Sequence, residues 1–211
     1  AITNLNIVGL KATDKPLAPF LHSATTSAYV NTAKAANISA PISCSSAVAA
    51  DLDNDMDIDL YLACTAGVRN LANRLYENRG NGVFDLVPNA GGAAGPVGVA
   101  VADGVGTADS AVTADYDVDG DIDLFVTNGL NNEPPGTGGP VKLFRNTASS
   151  NGNHWIQLDL EGTVSNRDGI GARVIVTAGG TALLREQNRG YHRWSQDYDR
   201  IHFGLAGNTT A

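Results

Sequence analysis

An internal repeat constrains this chain more than any other feature. Ser46-Ala-Val-Ala-Ala-Asp51-Leu-Asp-Asn-Asp-Met-Asp-Ile-Asp-Leu60-Tyr-Leu returns, at an offset of 64 residues, as Ser110-Ala-Val-Thr-Ala-Asp115-Tyr-Asp-Val-Asp-Gly-Asp-Ile-Asp-Leu124-Phe-Val. Self-similarity of this length is read before local propensity, because the two copies must adopt one structure. Apolar alternation on both sides of each aspartate run reads as strand, loop, strand. A matching segment follows each copy, Asn73-Arg-Leu-Tyr-Glu-Asn78 after the first and Lys142-Leu-Phe-Arg-Asn146 after the second. With 24 glycines and one methionine, the composition suits short strands joined by tight turns rather than helices. The chain is therefore expected to be all-β.

In Asp115-x-Asp117-x-Asp119-Gly120-Asp121-x-Asp123, oxygen donors recur at every second residue around a sharp turn. That pattern suits a hard cation taking six to eight oxygens at about 2.3–2.6 Å, which describes Ca²⁺ better than the strictly six-coordinate Mg²⁺. Asp115, Asp117, Asp119 and Asp123 are expected to bind through carboxylates and Asp121 through its carbonyl, with Gly120 supplying the backbone freedom. The first loop offers Asp51, Asp53, Asp55, Asp57 and Asp59, with Met56 where the second has glycine. Its turn is expected to be strained and its affinity lower. Five carboxylates within nine residues would repel one another strongly without a cation, so two Ca²⁺ sites of structural type are expected.

Charge excludes some partners. Ten of the 22 acidic residues sit in the two loops, and the formal net charge is −8. A chain this acidic cannot neutralise nucleic-acid phosphates or hold an anionic membrane surface. No apolar run approaches the ~20 residues of a membrane span. His22, His154, His192 and His202 lack metal-type spacing, and no nucleophile, base and orienting partner can be assembled. An enzyme is not expected.

Cys44 and Cys64 lie on the strands flanking the first loop, with their midpoint almost at its centre. In a simple hairpin they face each other, which predicts a disulfide clamping the loop; the alternative is two buried free thiols. Gly80-Asn81-Gly82 predicts a hairpin turn leading into a strand from Val83 to Val87, and Gly91 to Gly98 a loop. Asn131 to Pro140 reads as a flexible insertion. A separate β unit is expected from residue 151 on, through Val174-Ile-Val176 and Leu183-Leu184 to Ile201-His-Phe203. Residues 1–27 match neither unit and read as an N-terminal extension; Ala1-Ile2-Thr3-Asn4-Leu5 has the look of a mature end left by signal-peptide removal.

Two sets of motifs then point to known families. The segment 28–150, with its Asp-x-Asp-x-Asp-Gly-Asp-x-Asp-Leu loop and Asn73-Arg-Leu-Tyr-x-Asn-x-Gly-Asn-Gly-x-Phe84, resembles two FG-GAP/VCBS calcium repeats, a propeller-blade type. The segment 151–211, with Ser165-Asn-Arg-Asp-Gly-Ile-Gly-Ala-Arg-Val174, Arg185-Glu186, Gly190-Tyr191, Ser195-Gln196 and His202-Phe-Gly-Leu205, resembles the ASPIC/UnbV domain that follows such repeats in cartilage acidic protein. The resemblance implies blade-like antiparallel sheets in an incomplete propeller, followed by a small β-sandwich or barrel-like domain. It also implies a secreted or cell-surface, non-enzymatic calcium-binding protein of adhesion or matrix.

Two blades cannot close a propeller, so sheet edges are left to be covered or used. An extended tail such as Ala1 to Leu10 could add as a strand to a neighbour's sheet, and a head-to-tail contact that does not close makes a filament. The expected function is a self-assembling extracellular structural protein, a fibre subunit. The alternative is a monomeric adhesion module binding a protein or glycan through Asn131 to Pro140 or through Tyr191 and Trp194.

Overall fold

The structure is a computed structural model that describes residues 20–22, 29–38, 44–64, 73–94, 108–128, 141–164, 166–188, 191–192 and 195–211. Leu5 and Ile7, the 131–140 insertion and Trp194 lie outside these residues. The described strands are β1 (Phe20–His22), β2 (Tyr29–Asn31), β3 (Cys44–Ala50), β4 (Asp59–Cys64), β5 (Arg74–Asn78), β6 (Phe84–Val87), β7 (Ala108–Ala114), β8 (Asp123–Asn128), β9 (Lys142–Phe144), β10 (His154–Leu158), β11 (Arg173–Ala178), β12 (Thr181–Glu186), β13 (Tyr191–His192), β14 (Ser195–Gln196) and β15 (Ile201–Ala206). Two short 3₁₀ turns, at 90–92 and 148–151, are the only helical elements among the described residues. No helix there is long and apolar enough to cross a membrane. The protein is all-β, built from antiparallel sheets that form no closed barrel among the described residues.

The repeat becomes two antiparallel meanders, β3-β4-β5-β6 and β7-β8-β9. Their registers coincide residue for residue: Ser46 pairs with Ala63 and Ala50 with Asp59, as Ser110 pairs with Thr127 and Ala114 with Asp123. Even the bulge recurs, between Cys44 and Ser46 in one sheet and between Ala108 and Ser110 in the other. Gly80 and Gly82, both with positive φ, make the expected turn between β5 and β6, and Asn81 Oδ1 accepts from the Val83 N–H. The strand starts at Phe84, one residue later than predicted, because the Val83 carbonyl accepts from Arg79 N within the turn.

The two sheets face each other. Val48, Tyr61 and Ala63 of the first pack on Ala108, Ala111, Leu124 and Val126 of the second, with Leu75 and Phe144 at the margin. The other face of the first sheet buries Leu60, Tyr76 and Phe84 beneath Ala36 and Ile38. Alternate residues of β4 thus serve two cores, which is why the strand reads as an almost continuous apolar run.

Beyond residue 151, β10 pairs with β15 and β11 with β12 around Val176, Ala178, Leu183, Ile201, Phe203 and Leu205. This unit is not set apart from the repeats. Thr113 N donates to Asp197 Oδ1 at 2.6 Å, Ser110 and Ser195 share a hydroxyl contact of 2.6 Å, and Tyr198 N donates to Thr113 O, so residues 195–198 line the outer edge of β7. The sequence pattern alone could not reveal that docking, because the contacts join residues about 85 positions apart.

Candidate metal centres

Each aspartate loop is wound by its own carboxylates. As the chain leaves β3, Asp51 accepts from the backbone N–H groups of Asp55 and Met56, each at 3.1 Å, and Asp55 Oδ1 accepts from Asp57 N at 2.8 Å. Asp59 closes the loop, taking Leu52 N on Oδ2 and Asn78 N on Oδ1. The second loop repeats each bond: Asp115 accepts from Asp119 and Gly120, Asp119 from Asp121, and Asp123 from Tyr116 and Asn146. Asn54 and Val118 (φ 61° and 60°), then Met56 and Gly120 (φ 80° and 92°), take the left-handed backbone that the turn demands.

This winding gathers Asp51, Asp53 and Asp59 so that one oxygen of each lies within 4.8 Å of the others, and it does the same for Asp115, Asp117 and Asp123. Either group could hold a metal ion. Two observations fit a cation at the first. Asp53 Oδ1 is buried with no hydrogen-bond partner. Burial pushes the Asp51 carboxyl up to about 7 and that of Asp59 to about 8, against the lowering by their own backbone hydrogen bonds. Burial also raises Asp53 and Asp123. Such carboxylates are stabilised by a cation that brings charge without requiring protonation, and an all-oxygen donor set suits a hard divalent ion. When bound, the ion would neutralise these carboxylates and tie each loop to the strands on either side of it.

Not every expected ligand joins these groups. Asp55 and Asp119 use Oδ1 to hold the loop backbone. Asp57 and Asp121 are buried, and Asp121 Oδ1 accepts from Asn54 Nδ2 at 3.2 Å. Arg145 bonds Asp117 at 2.6 Å and Asp119 at 3.0 Å.

The loops are also where the C-terminal unit docks. Asn54 Nδ2 donates to Gly120 O and Asp121 Oδ1, joining the two loops, while its Oδ1 lies 2.7 Å from His202 Nε2. Gln157 Nε2 donates to Asp115 at 2.6 Å and lies 3.4 Å from His202 Nδ1. Burial, followed by the nearby Arg185, lowers the His202 imidazole to about 4, which keeps it neutral in this network. Asn146 Nδ2 bridges Leu52 O and Ile122 O, and Asn151 and Asn153 both donate to Asp53 O. Gly204 lies so close that a Cβ there would stand 2.2 Å from Asp51 Oδ2.

Met56 and Gly120 are explained by the same docking. The Met56 side chain packs on the C-terminal core, whereas a Cβ on Gly120 would stand 1.7 Å from Trp155 Nε1. Equivalent positions thus receive opposite solutions, a side chain inserted into the neighbour and a side chain omitted for it. Sequence reasoning found only that His202 lacks metal-type spacing and gave no role to Asn54, Asn146 or Gln157; the signals were the His202-Phe-Gly-Leu205 motif and the recurrence of Asn78 as Asn146 at the end of the matching segments.

The disulfide is present. Cys44 and Cys64 are cross-strand partners in β3 and β4, and their sulfurs are bonded.

Tandem antiparallel blades, each closed by an acidic loop able to hold a cation and both loops covered by a C-terminal β unit, define a class of blade-repeat protein. The family comparison gives that class its names. Residues 51–126 match the FG-GAP-like repeat and residues 162–211 match ASPIC and UnbV. The chain is thus similar to an FG-GAP-like repeat in its first part and to ASPIC and UnbV in its last. No curated protein matches it significantly.

Proposed function

We propose that this chain is a secreted, non-catalytic, calcium-binding structural protein that self-assembles into an extracellular fibre. The observation that carries the reading is an uncovered face. Val48, Tyr61 and Leu75 of the first sheet form the face that holds the second sheet. Their equivalents in the second sheet are Val112, Phe125 and Leu143, aligned by the same cross-strand pairings. Tyr61 is fully buried, yet Phe125 is 39 % and Leu143 51 % exposed, with Val141 exposed beside them. The second sheet also stops at three strands where the first has four, so among the described residues nothing pairs with the outer edge of β9. A second copy of this chain is the occupant proposed, with its N-terminal segment Ala1 to Leu10 adding along β9.

Calcium is favoured because oxygen-only loops of this kind fill at the millimolar concentrations met outside cells. A disulfide persists in the same oxidising surroundings. The non-catalytic reading rests on the loop carboxylates, which are committed to winding the loops and to a cation.

The test is light scattering with negative-stain microscopy of the full chain in millimolar calcium. Filaments or large particles are expected, and the double variant Phe125→Glu with Leu143→Glu should remain monomeric with native melting. Removal of residues 1–10 separates the strand from the face. A wild-type protein that stays a monodisperse monomer sinks self-assembly and favours the adhesion or glycan-binding module.

A further inference from the structure

We infer that one position, Glu77 in the first repeat and Arg145 in the second, makes the two cation centres unequal: Arg145 is an internal competitor at the second loop, and the first loop binds the more tightly. The inference rests on the calcium reading above.

The equivalence of the two positions is structural. Asn78 donates its N–H to Asp59 Oδ1 and its side-chain amide to Ile58 O, and Asn146 does the same to Asp123 and Ile122. Glu77 and Arg145 immediately precede these anchors, so each stands at the same place on the rim of its loop. Arg145 uses that place to bond Asp117 and Asp119, with Nε at 2.6 Å and a terminal nitrogen at 3.0 Å. Asp117 is one of the three carboxylates gathered at the second centre. A cation entering there must displace one or both ion pairs and then tolerate a guanidinium nearby.

At the first loop the same place carries the opposite sign. Arg79 holds both Glu77 and Asp85 at 2.7 Å and stands within electrostatic reach of Asp53. Asp53 Oδ1 has no partner, whereas Asp117 has Arg145. Guanidinium groups stand near both centres, Arg185 and Arg79 within electrostatic reach of Asp51 and Asp53 at the first and Arg145 at the second, but among the described residues only Arg145 forms an ion pair with a gathered carboxylate, while Asp53 keeps a buried oxygen without a partner.

Met56 predicted the reverse order. Its backbone already has the left-handed conformation of Gly120, and its side chain is packed on the C-terminal core, so the first loop keeps the shape of the second. Charge at 77 and 145 then decides. Arg145 is more than half exposed, so it competes without plugging the site. A unit charge about 5 Å from a divalent ion in a water-like dielectric changes affinity about tenfold.

Isothermal titration of the full chain with calcium, after chelator and dialysis, tests the inference. Wild type is expected to show a tight and a weak class, with Asp53→Asn removing the tight one and Asp117→Asn the weak one. Arg145→Gln should tighten the weak class about tenfold and leave the tight class unchanged, and Glu77→Arg should weaken the tight class. Circular dichroism verifies the fold of each variant, and Arg145→Lys, which keeps the charge, should stay near wild type. Two indistinguishable sites in wild type, or a weak class unmoved by Arg145→Gln, overturn the inference while leaving calcium binding intact. Absence of calcium binding at either loop overturns the underlying reading as well.

Discussion

Replacing Gly120 by alanine should do more damage than its single methyl group suggests. Gly120 has φ 92°, a conformation that costs an L-residue about 1–2 kcal/mol. The added Cβ would stand 1.7 Å from Trp155 Nε1 and 1.8 Å from Cε2, so the indole must withdraw. Trp155 is also stacked on His202, with ring centroids 6.4 Å apart, and His202 in turn reaches Asn54. Forcing extra volume into a packed contact typically costs about 1–3 kcal/mol. The two effects together come to about 2–5 kcal/mol, which for a chain of this size lowers Tm by roughly 4–20 °C. Thermal unfolding in millimolar calcium, followed by far-UV circular dichroism and tryptophan emission, measures it, with Trp155→Phe identifying the Trp155 signal. The emission should move to longer wavelength as the ring enters water. Met56→Gly, which restores the glycine of the second loop, should also destabilise, because it removes a side chain from the C-terminal core. A Gly120→Ala protein that melts within about 1 °C of wild type with unchanged emission refutes the docking argument.

Two further outcomes follow from the same geometry. Asp51 and Asp59 have folded-state values, about 7 and 8, above their unfolded 3.8, so the folded chain binds more protons and, without metal, loses stability as pH rises through those values. His202 acts oppositely but only between about 4 and its unfolded 6.5, so from pH about 6.5 to 8 the carboxylates act alone. In excess chelator, denaturant unfolding should therefore give a stability about 2–3 kcal/mol lower at pH 8 than at pH 6.5, and calcium should abolish the fall; a flat chelator profile contradicts the burial of these groups. Replacing Cys44 and Cys64 by serine opens a cross-link between residues 20 positions apart and should cost about 3 kcal/mol of unfolding free energy, read from urea titrations with and without reductant.

The strand-loop-strand units were legible because period-two alternation must put one side of each strand into a core, and repetition at 64 residues confirmed the pattern against itself. The Cys44 to Cys64 bond was legible for a related reason: in a hairpin, cross-strand neighbours follow from counting outwards from the turn. Alternation says that a face is buried but not by what. Phe125 and Tyr61 occupy equivalent positions with similar residues, yet one is in the core and the other at the surface. The aspartate spacing named ten candidate ligands, whereas the loop backbone enlisted Asp55 and Asp119 for its own N–H groups.

By itself, the sequence determined the local matters: the all-β class, the two acidic loops and the hairpin that brings Cys44 to Cys64. Each depends on residues within a turn or a strand of one another. Only the tertiary structure decided that the C-terminal unit covers both loops, that Met56 and Gly120 are two answers to that contact, and that Arg145 lies across the second centre. Those facts join residues from 26 to 153 positions apart, and such pairings are selected by the complementarity of surfaces that exist only once the strands have formed.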